Sequence, residues 1–168
     1  MKHLPIFILT FMLIACQTDQ DQFLNKINDL QLELIDSDFN TNLEVAQELV
    51  VEIEKYLRKY PDSATMPDYY MQLGDLYTNV LRLPVKGLYF FQKVHTDFPN
   101  HDKAPVALFY KAFSLDNYMG QQDQARLVYE SFLKTYPNHE LSETVELSIQ
   151  QLGIPLDELI KQFEEKNN

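Results

Sequence analysis

The stretch FYKAFSLDNYMGQQDQARLVYESFLKTYP, at residues 109–137, predicts the fold of this chain. It indicates two amphipathic helices joined by a turn at residues 119–122. One face of the first helix is marked by residues at helical steps of three and four: Phe109, Ala112, Phe113 and Asp116. Because a single helical hairpin cannot cover its own apolar side, the stretch predicts neighbouring hairpins of the same kind.

Length and composition favour one helical domain with short connections. The chain has 168 residues, of which 45% are hydrophobic, yet its mean hydropathy is -0.30. It contains only four glycines and eight prolines, which is few for a sheet with many turns. The net charge of -11 argues against nucleic acid as a partner, since phosphate binding needs clustered Lys and Arg. The single cysteine excludes an intrachain disulfide.

An aromatic residue, a proline and an Asp or Asn recur at one period. The three copies are Tyr60-Pro61-Asp62, Phe98-Pro99-Asn100 and Tyr136-Pro137-Asn138, so the prolines lie 38 residues apart. Proline ends the preceding helix, and Asp or Asn supports the turn that follows. The period predicts paired helices at 23–35 and 43–59, at 68–82 and 84–97, and at 103–119 and 122–135, followed by a further helix at 140–152.

The pattern Y-x-x-L-G-x-x-Y at residues 70–77 resembles the first helix of the tetratricopeptide repeat. In the second helices, Gly87 and Ala125 take the family's small-residue position, and Phe91 and Tyr129 take its large aromatic position. The resemblance implies an all-α, superhelical stack of about three helical hairpins with a C-terminal capping helix. The period exceeds the family's usual 34 residues, and the hairpin before Pro61 lacks the Leu-Gly element, which makes it a degenerate cap. An unrelated helical bundle is the alternative.

The C-terminal segment Leu-Gly-Ile-Pro-Leu-Asp-Glu-Leu-Ile-Lys-Gln-Phe, at residues 152–163, resembles the end of short lipid-anchored tetratricopeptide proteins of Gram-negative bacteria. Gly153 is predicted to take a left-handed conformation, and Pro155 is predicted to open the last helix. A more distant likeness is to the tetratricopeptide lipoprotein of the outer-membrane β-barrel assembly machine and to the periplasmic Tol–Pal coordinator. That likeness gives only an analogy of role.

Residues 1–15 have a basic start followed by a short apolar segment, as a signal peptide does. That apolar segment is too short to span a bilayer as a helix. The following Leu13-Ile14-Ala15-Cys16 resembles the bacterial lipobox. The resemblance implies cleavage after Ala15, lipidation of Cys16 and anchoring of the protein to the membrane. In many of the Gram-negative lipoproteins that this segment resembles, an aspartate after the cysteine signals retention in the inner membrane. Gln17 stands there instead, so the resemblance implies the outer membrane, and the periplasmic face and the cell surface both remain open. Residues 16–22 are the predicted acylated cysteine and tether, and residues 23–168 the predicted helical domain.

In tetratricopeptide arrays the first helices line a concave groove, which is the predicted partner-binding surface here. The residues aligned with that groove are Asp68, Met71, Asp75, Thr78, Asn79, Ala107, Tyr110, Ser114, Asn117 and Tyr118. This set is polar, aromatic and somewhat acidic, and it contains no basic residue. It therefore favours an envelope protein or peptide segment that is neutral to basic. The alternative is a concave face that is merely solvated.

The sequence contains no nucleophile motif and no phosphate-binding loop, so catalysis, cofactors and metals are not predicted. The segment with His95, Asp97, His101 and Asp102 matches zinc patterns only weakly. His101 and His139 occupy equivalent repeat positions, which indicates a structural role in the turn. The predicted function is a non-enzymatic, outer-membrane-anchored scaffold for protein–protein interaction in the cell envelope. The alternative is an accessory subunit or weak enzyme acting on envelope polymers such as peptidoglycan or glycan.

Overall fold

A computed structural model describes residues 4–35, 40–154 and 156–166 of the chain. The chain divides into two compact units, Met1–Tyr69 and Tyr70–Asn168. The helices, in chain order, are α1 (Leu4–Glu33), α2 (Leu43–Lys59), α3 (Met66–Asp75), the π-helical turn π1 (Leu76–Val80), α4 (Pro84–Asp97), α5 (Lys103–Asn117), α6 (Gln122–Thr135), α7 (Ser142–Gln151) and α8 (Leu156–Lys166).

The prediction of an all-α, tetratricopeptide-like helical stack is confirmed. The described residues form no β-strand, and their only bridge is an isolated antiparallel pair between Ile35 and Thr41. The three predicted second helices, α2, α4 and α6, begin and end at the predicted residues. Their positions follow from the prolines, because each proline fixes where the preceding helix stops.

Two first helices differ from their predicted bounds by more than two residues, and α5 ends at Asn117 rather than at residue 119. Helix α1 begins at Leu4 rather than at residue 23, so its backbone is helical through residues 16–22, the segment predicted to be a tether. An α-helix was expected through residue 82, but α3 ends at Asp75 and π1 follows it. In π1 the Leu81 amide donates to the Leu76 carbonyl oxygen at 2.9 Å, a five-residue step that widens the turn.

In the first unit, α1 packs against α2. Ile27 and Leu30 of α1 are buried, as are Leu49 and Ile53 of α2. Helix α2 is capped by Asn42, whose side-chain oxygen accepts hydrogen bonds from the amides of the first turn. This cap satisfies backbone donors that would otherwise lack partners.

The end of α2 also holds residues that come soon after Cys16. Asp19 lies 2.5 Å from the Lys59 ammonium and accepts a hydrogen bond from the Tyr60 hydroxyl. The Gln20 amide donates to the Tyr56 hydroxyl at 2.9 Å. These contacts tie the predicted tether to the first hairpin.

In the second unit, α4, α5, α6 and α7 pack successively, each against the next. The core lies between α5, α6 and α7, and its buried members are Leu108, Ala112, Leu115, Ala125, Tyr129, Phe132 and Val145. Ala125 has no exposed surface, and Gly87 is buried at the equivalent position of α4. The predicted small-residue position where helices touch is thereby confirmed.

The three aromatic–proline corners share one hydrogen-bonding pattern. At each corner the aromatic amide donates to the carbonyl oxygen four residues earlier, and the aromatic carbonyl oxygen accepts from the residue three positions later. That later residue is Ser63, His101 or His139. Its side chain accepts a hydrogen bond from the amide two residues further on, at 3.3, 3.2 and 3.1 Å respectively. The structure therefore assigns the turn-supporting side chain to the residue after the Asp or Asn, and it confirms the structural role of the two histidines.

At the C-terminal end, Gly153 has φ of +77°, which confirms the predicted left-handed position after α7. Pro155 lies outside the described residues. Over the part of the chain that the structure describes, no helix combines the length and the apolar character needed to cross a bilayer.

Candidate binding surface

The ten predicted groove residues divide by exposure. Six are exposed: Asp68, Asp75, Asn79, Tyr110, Asn117 and Tyr118; Met71 is half-buried. Three are buried: Thr78, Ala107 and Ser114. Asp68 belongs to the unit Met1–Tyr69, and the other nine belong to the second unit.

The three buried residues correct the sequence-based interpretation, because their side chains pack inside and do not face the groove. Thr78 lies in π1 directly against Gly87 of α4. Ser114 donates its hydroxyl to the Tyr110 carbonyl oxygen at 2.7 Å, which satisfies the polar atom within its own helix. Ala107 has no exposed surface. These residues support the surface from beneath.

Three of the exposed residues form a hydrogen-bonded chain between α3, π1 and the end of α5. The Asn79 amide nitrogen donates to the Asp75 carboxylate at 2.5 Å, and the Tyr118 hydroxyl donates to the Asn79 amide oxygen at 2.5 Å. The chain joins two successive first helices. Asp75 and Tyr118 both stay exposed.

Tyr110 supplies the apolar part of the same face. Its ring stacks on Phe91 with centroids 5.5 Å apart and an interplanar angle of 22°, while 39% of the residue stays exposed. Phe91 itself is buried. A tyrosine held on a rigid base in this way presents apolar area and a hydroxyl at low entropic cost, as rings at protein interfaces do.

The nearest basic side chain on α5 is directed to α4. Lys111 donates to the Gln92 side-chain oxygen, and its burial lowers the pKa of the ammonium group. The exposed face therefore retains the acidic character that the sequence predicts, with Asp75 as its charged group in the second unit.

The histidine-containing segment is occupied by structural contacts. The Asp97 carboxylate pairs with the Lys93 ammonium at 2.5 Å, and this partner lowers the Asp97 pKa. Burial lowers the pKa of His95, whose ring meets Tyr136 edge to face. The His101 ring nitrogen Nδ1 lies 3.2 Å from the Lys103 amide and 2.8 Å from an Asp102 oxygen.

Within the described ranges, no three His, Cys, Asp or Glu side chains are grouped so as to hold a metal ion. The side chain of Cys16, the predicted lipidation site, lies outside the described part of the chain. The alternative function on envelope polymers gains no support from the histidine-containing segment.

Sequence reasoning missed a polar cavity of about 400 Å³ beside the predicted groove. It lies where α5 ends, α6 begins and α7 ends, and it includes Asn117 of the predicted groove. Asp116 and Tyr129 were assigned to the helical pattern and to the core. A comparison of the repeats could have found the cavity. Thr78 and Phe91 stand 38 residues before Asp116 and Tyr129, so the later repeat has a carboxylate in place of Thr78 and a hydroxyl that Phe91 lacks.

Comparison with known families gives one match. Residues 106–139 match the family described as tetratricopeptide repeat, and this range covers most of α5, all of α6 and the corner that follows. Repeats of this family are typical of scaffolds for protein–protein interaction and are generally not catalytic. No curated protein sequence matches the chain.

Proposed function

We propose that this protein is a non-catalytic, lipid-anchored scaffold of the bacterial outer membrane that binds a neutral to basic segment of an envelope protein. The observation that carries the proposal is the exposed face formed by Asp75, Asn79, Tyr110 and Tyr118 on two successive first helices. It combines a carboxylate, hydrogen-bonding groups and an aromatic ring, and its residues Tyr110 and Tyr118 lie in the segment 106–139 that matches the tetratricopeptide repeat.

The chemistry of this face favours the partner class. The exposed Asp75 carboxylate attracts positive charge, and the net charge of -11 adds a long-range field of the same sign. Because surface electrostatics are screened by salt, binding is expected to weaken as ionic strength rises.

The anchor part of the proposal rests on the lipobox at Cys16 and on the contacts just after it. Asp19 and Gln20 are held by the end of α2, and Asp19 comes three residues after Cys16. A chain spans at most about 3.5 Å per residue. The first hairpin of an acylated protein would therefore stay within about 10 Å of the lipid-bearing residue.

The anchor is tested by metabolic labelling with radioactive palmitate in wild type and Cys16→Ala. We expect label and outer-membrane fractionation in wild type, and loss of both in the variant. An outer-membrane protein that carries no label would contradict the lipid anchor. Protease accessibility of intact cells then separates the cell surface from the periplasmic face.

The binding face is tested by a photo-crosslinking amino acid placed at Tyr118 in cells. The matched control is Leu127, which is 67% exposed on α6 rather than on a first helix. We expect a defined protein adduct at residue 118 and none at residue 127. Asp75→Lys combined with Tyr110→Ala should reduce the adduct at least about tenfold, because charge reversal across an interface costs several kcal/mol. The same adduct at both positions would contradict a specific groove.

A further inference from the structure

The polar cavity beside the groove is built by three helices of the second unit. Helix α5 contributes Phe113 and Asp116, α6 contributes Tyr129, and Gln151 comes from the end of α7. Of the residues lining it, none is a lysine, arginine or histidine. The cavity therefore offers hydrogen-bond acceptors, one carboxylate and two aromatic rings, and its described lining includes no cation to match them.

Tyr129 places a buried hydroxyl at this cavity. The residue has no exposed surface, and no atom of the described residues makes a hydrogen bond to its hydroxyl oxygen. The Ser148 hydroxyl interacts with it and can accept from the Tyr129 O–H, but Ser148 donates its own hydrogen to the Thr144 carbonyl oxygen at 2.9 Å, so the Tyr129 oxygen still lacks a donor. Buried polar groups without partners are costly, so such a group at a cavity indicates a ligand that supplies the missing bond.

Asp116 is the second group without a partner. Its carboxyl group is half-buried at the end of α5, and no ion pair or hydrogen bond to it is formed within the described part of the chain. Partial burial of a carboxylate disfavours its charged form unless an opposite charge is brought close. A cationic group in the cavity would meet this requirement.

We propose that the cavity receives the charged end of an arginine or lysine side chain from the bound partner segment. The proposal rests on the scaffold function and names the residue type that anchors the partner. The guanidinium or ammonium group donates to the Asp116 carboxylate and, once the Tyr129 ring shifts to uncover it, to the buried Tyr129 hydroxyl oxygen. The Phe113 ring covers the aliphatic stem. Asn117 belongs both to the cavity and to the predicted groove, so one extended segment reaches both.

A cation fits this site better than a neutral group does. Guanidinium and ammonium groups carry only donors, and none of the described residues that line the cavity is basic and would repel them. Positive groups also interact favourably with an aromatic face, here that of Phe113. A volume of about 400 Å³ accommodates one long side chain.

The test uses two small probes and the full chain purified in detergent. The probes are Nα-acetyl-arginine N-methylamide and the citrulline analogue, which has nearly the same shape without the charge. Amide resonances of Asn117 and Gly153 are followed by ¹H–¹⁵N NMR during titration. We expect the arginine probe to bind at least about tenfold more tightly than the citrulline probe, as charge-assisted bonds are the stronger ones.

Variants assign the binding to the cavity. Asp116→Asn should remove the preference for arginine, and Tyr129→Phe should weaken arginine binding about threefold. Glu130→Gln is the control, since it neutralises an exposed carboxylate on α6 that lines neither the cavity nor the predicted groove, and it should leave the affinity unchanged. Equal affinity for the two probes, no binding, or a preference that survives Asp116→Asn would overturn the proposal.

The outcomes separate this proposal from the scaffold function. A specific partner adduct at Tyr118 without arginine binding overturns the cavity proposal and leaves the scaffold intact. Arginine binding that depends on Asp116, without any adduct at Tyr118, supports a cation site and counts against the groove.

Discussion

Two hairpins of the second unit carry the same repeat and use it differently. We refer to residues 70–97 as the second hairpin and to residues 103–135 as the third hairpin. In the second hairpin, Thr78 fills the space against Gly87, and the Phe91 ring lies over Gly74. The equivalent residues of the third hairpin, 38 positions later, are Asp116, Ala125, Tyr129 and Ala112.

The difference between the two hairpins lies in what fills one repeat position. Thr78 is buried and leaves no space, whereas Asp116 is half-buried and lines the polar cavity. Tyr129 adds a hydroxyl that Phe91 lacks. One repeat architecture thus yields a closed interface in one hairpin and a chemically distinct site in the next, without any change in the order of helices.

Thr78→Asp is expected to have the largest effect, since it transfers the polar residue of the third hairpin into the closed second hairpin. The new carboxylate would be buried beside Gly87 without a partner, and burying an unpaired charge costs more than about 3 kcal/mol. Urea unfolding followed by circular dichroism measures the loss. Wild-type stability in this variant would show that the second hairpin can open a similar cavity.

Gly87→Ala is the next largest expected effect. An added Cβ would clash with the Thr78 hydroxyl and lie 2.6 Å from the Gly74 carbonyl oxygen, so backbone must move. Overpacking of this kind costs about 1–3 kcal/mol, more than the gain in helix propensity. The matched exchange Ala125→Gly should cost about 1 kcal/mol. Both are measured by urea unfolding, and equal losses would contradict the closer packing of the second hairpin.

The turns of the two hairpins provide a smaller comparison. Gly120 has φ of +62° and Arg82, its equivalent, has φ of +56°. Gly120→Ala should cost about 1 kcal/mol, because residues with a Cβ are strained in the left-handed region. Arg82→Gly relieves that strain but makes the unfolded chain more flexible, so its stability should change by less than about 0.5 kcal/mol. Thermal unfolding of both variants is the measurement. A larger change for Arg82→Gly than for Gly120→Ala would contradict this reasoning.

The smallest expected effect is the pH dependence that arises from Asp116. Burial raises the pKa of its carboxyl group in the folded state, so ionisation of Asp116 destabilises the fold as pH rises through that value. Asp116→Asn should therefore be more stable than wild type at pH 7, and the advantage should shrink on acidification below the folded pKa. Burial also raises the pKa of Tyr129 to about 12, so this neighbour stays neutral throughout. Melting temperatures between pH 3 and 7 test the prediction, and an advantage that is constant with pH would contradict it.

Much of the fold could be predicted because its signals are local. The prolines and the aromatic residues before them fixed the ends of α2, α4 and α6, and the left-handed position of Gly153 followed from its place after α7. The site was less accessible to prediction. The groove was predicted by treating residues 68–82 as one continuous α-helix, but π1 begins at Leu76 and changes which residues face inward.

The sequence by itself determined that this chain forms helical hairpins with proline corners at a period of 38 residues, because those features depend on backbone preferences of neighbouring residues. Only the tertiary structure decided that Thr78 and Ser114 lie inside, and that Asp116 and Tyr129 share a cavity. Burial and cavities depend on how closely separate helices approach. That distance is set by side chains far apart in the sequence, such as Gly87 and Thr78, and not by the helical pattern of either segment.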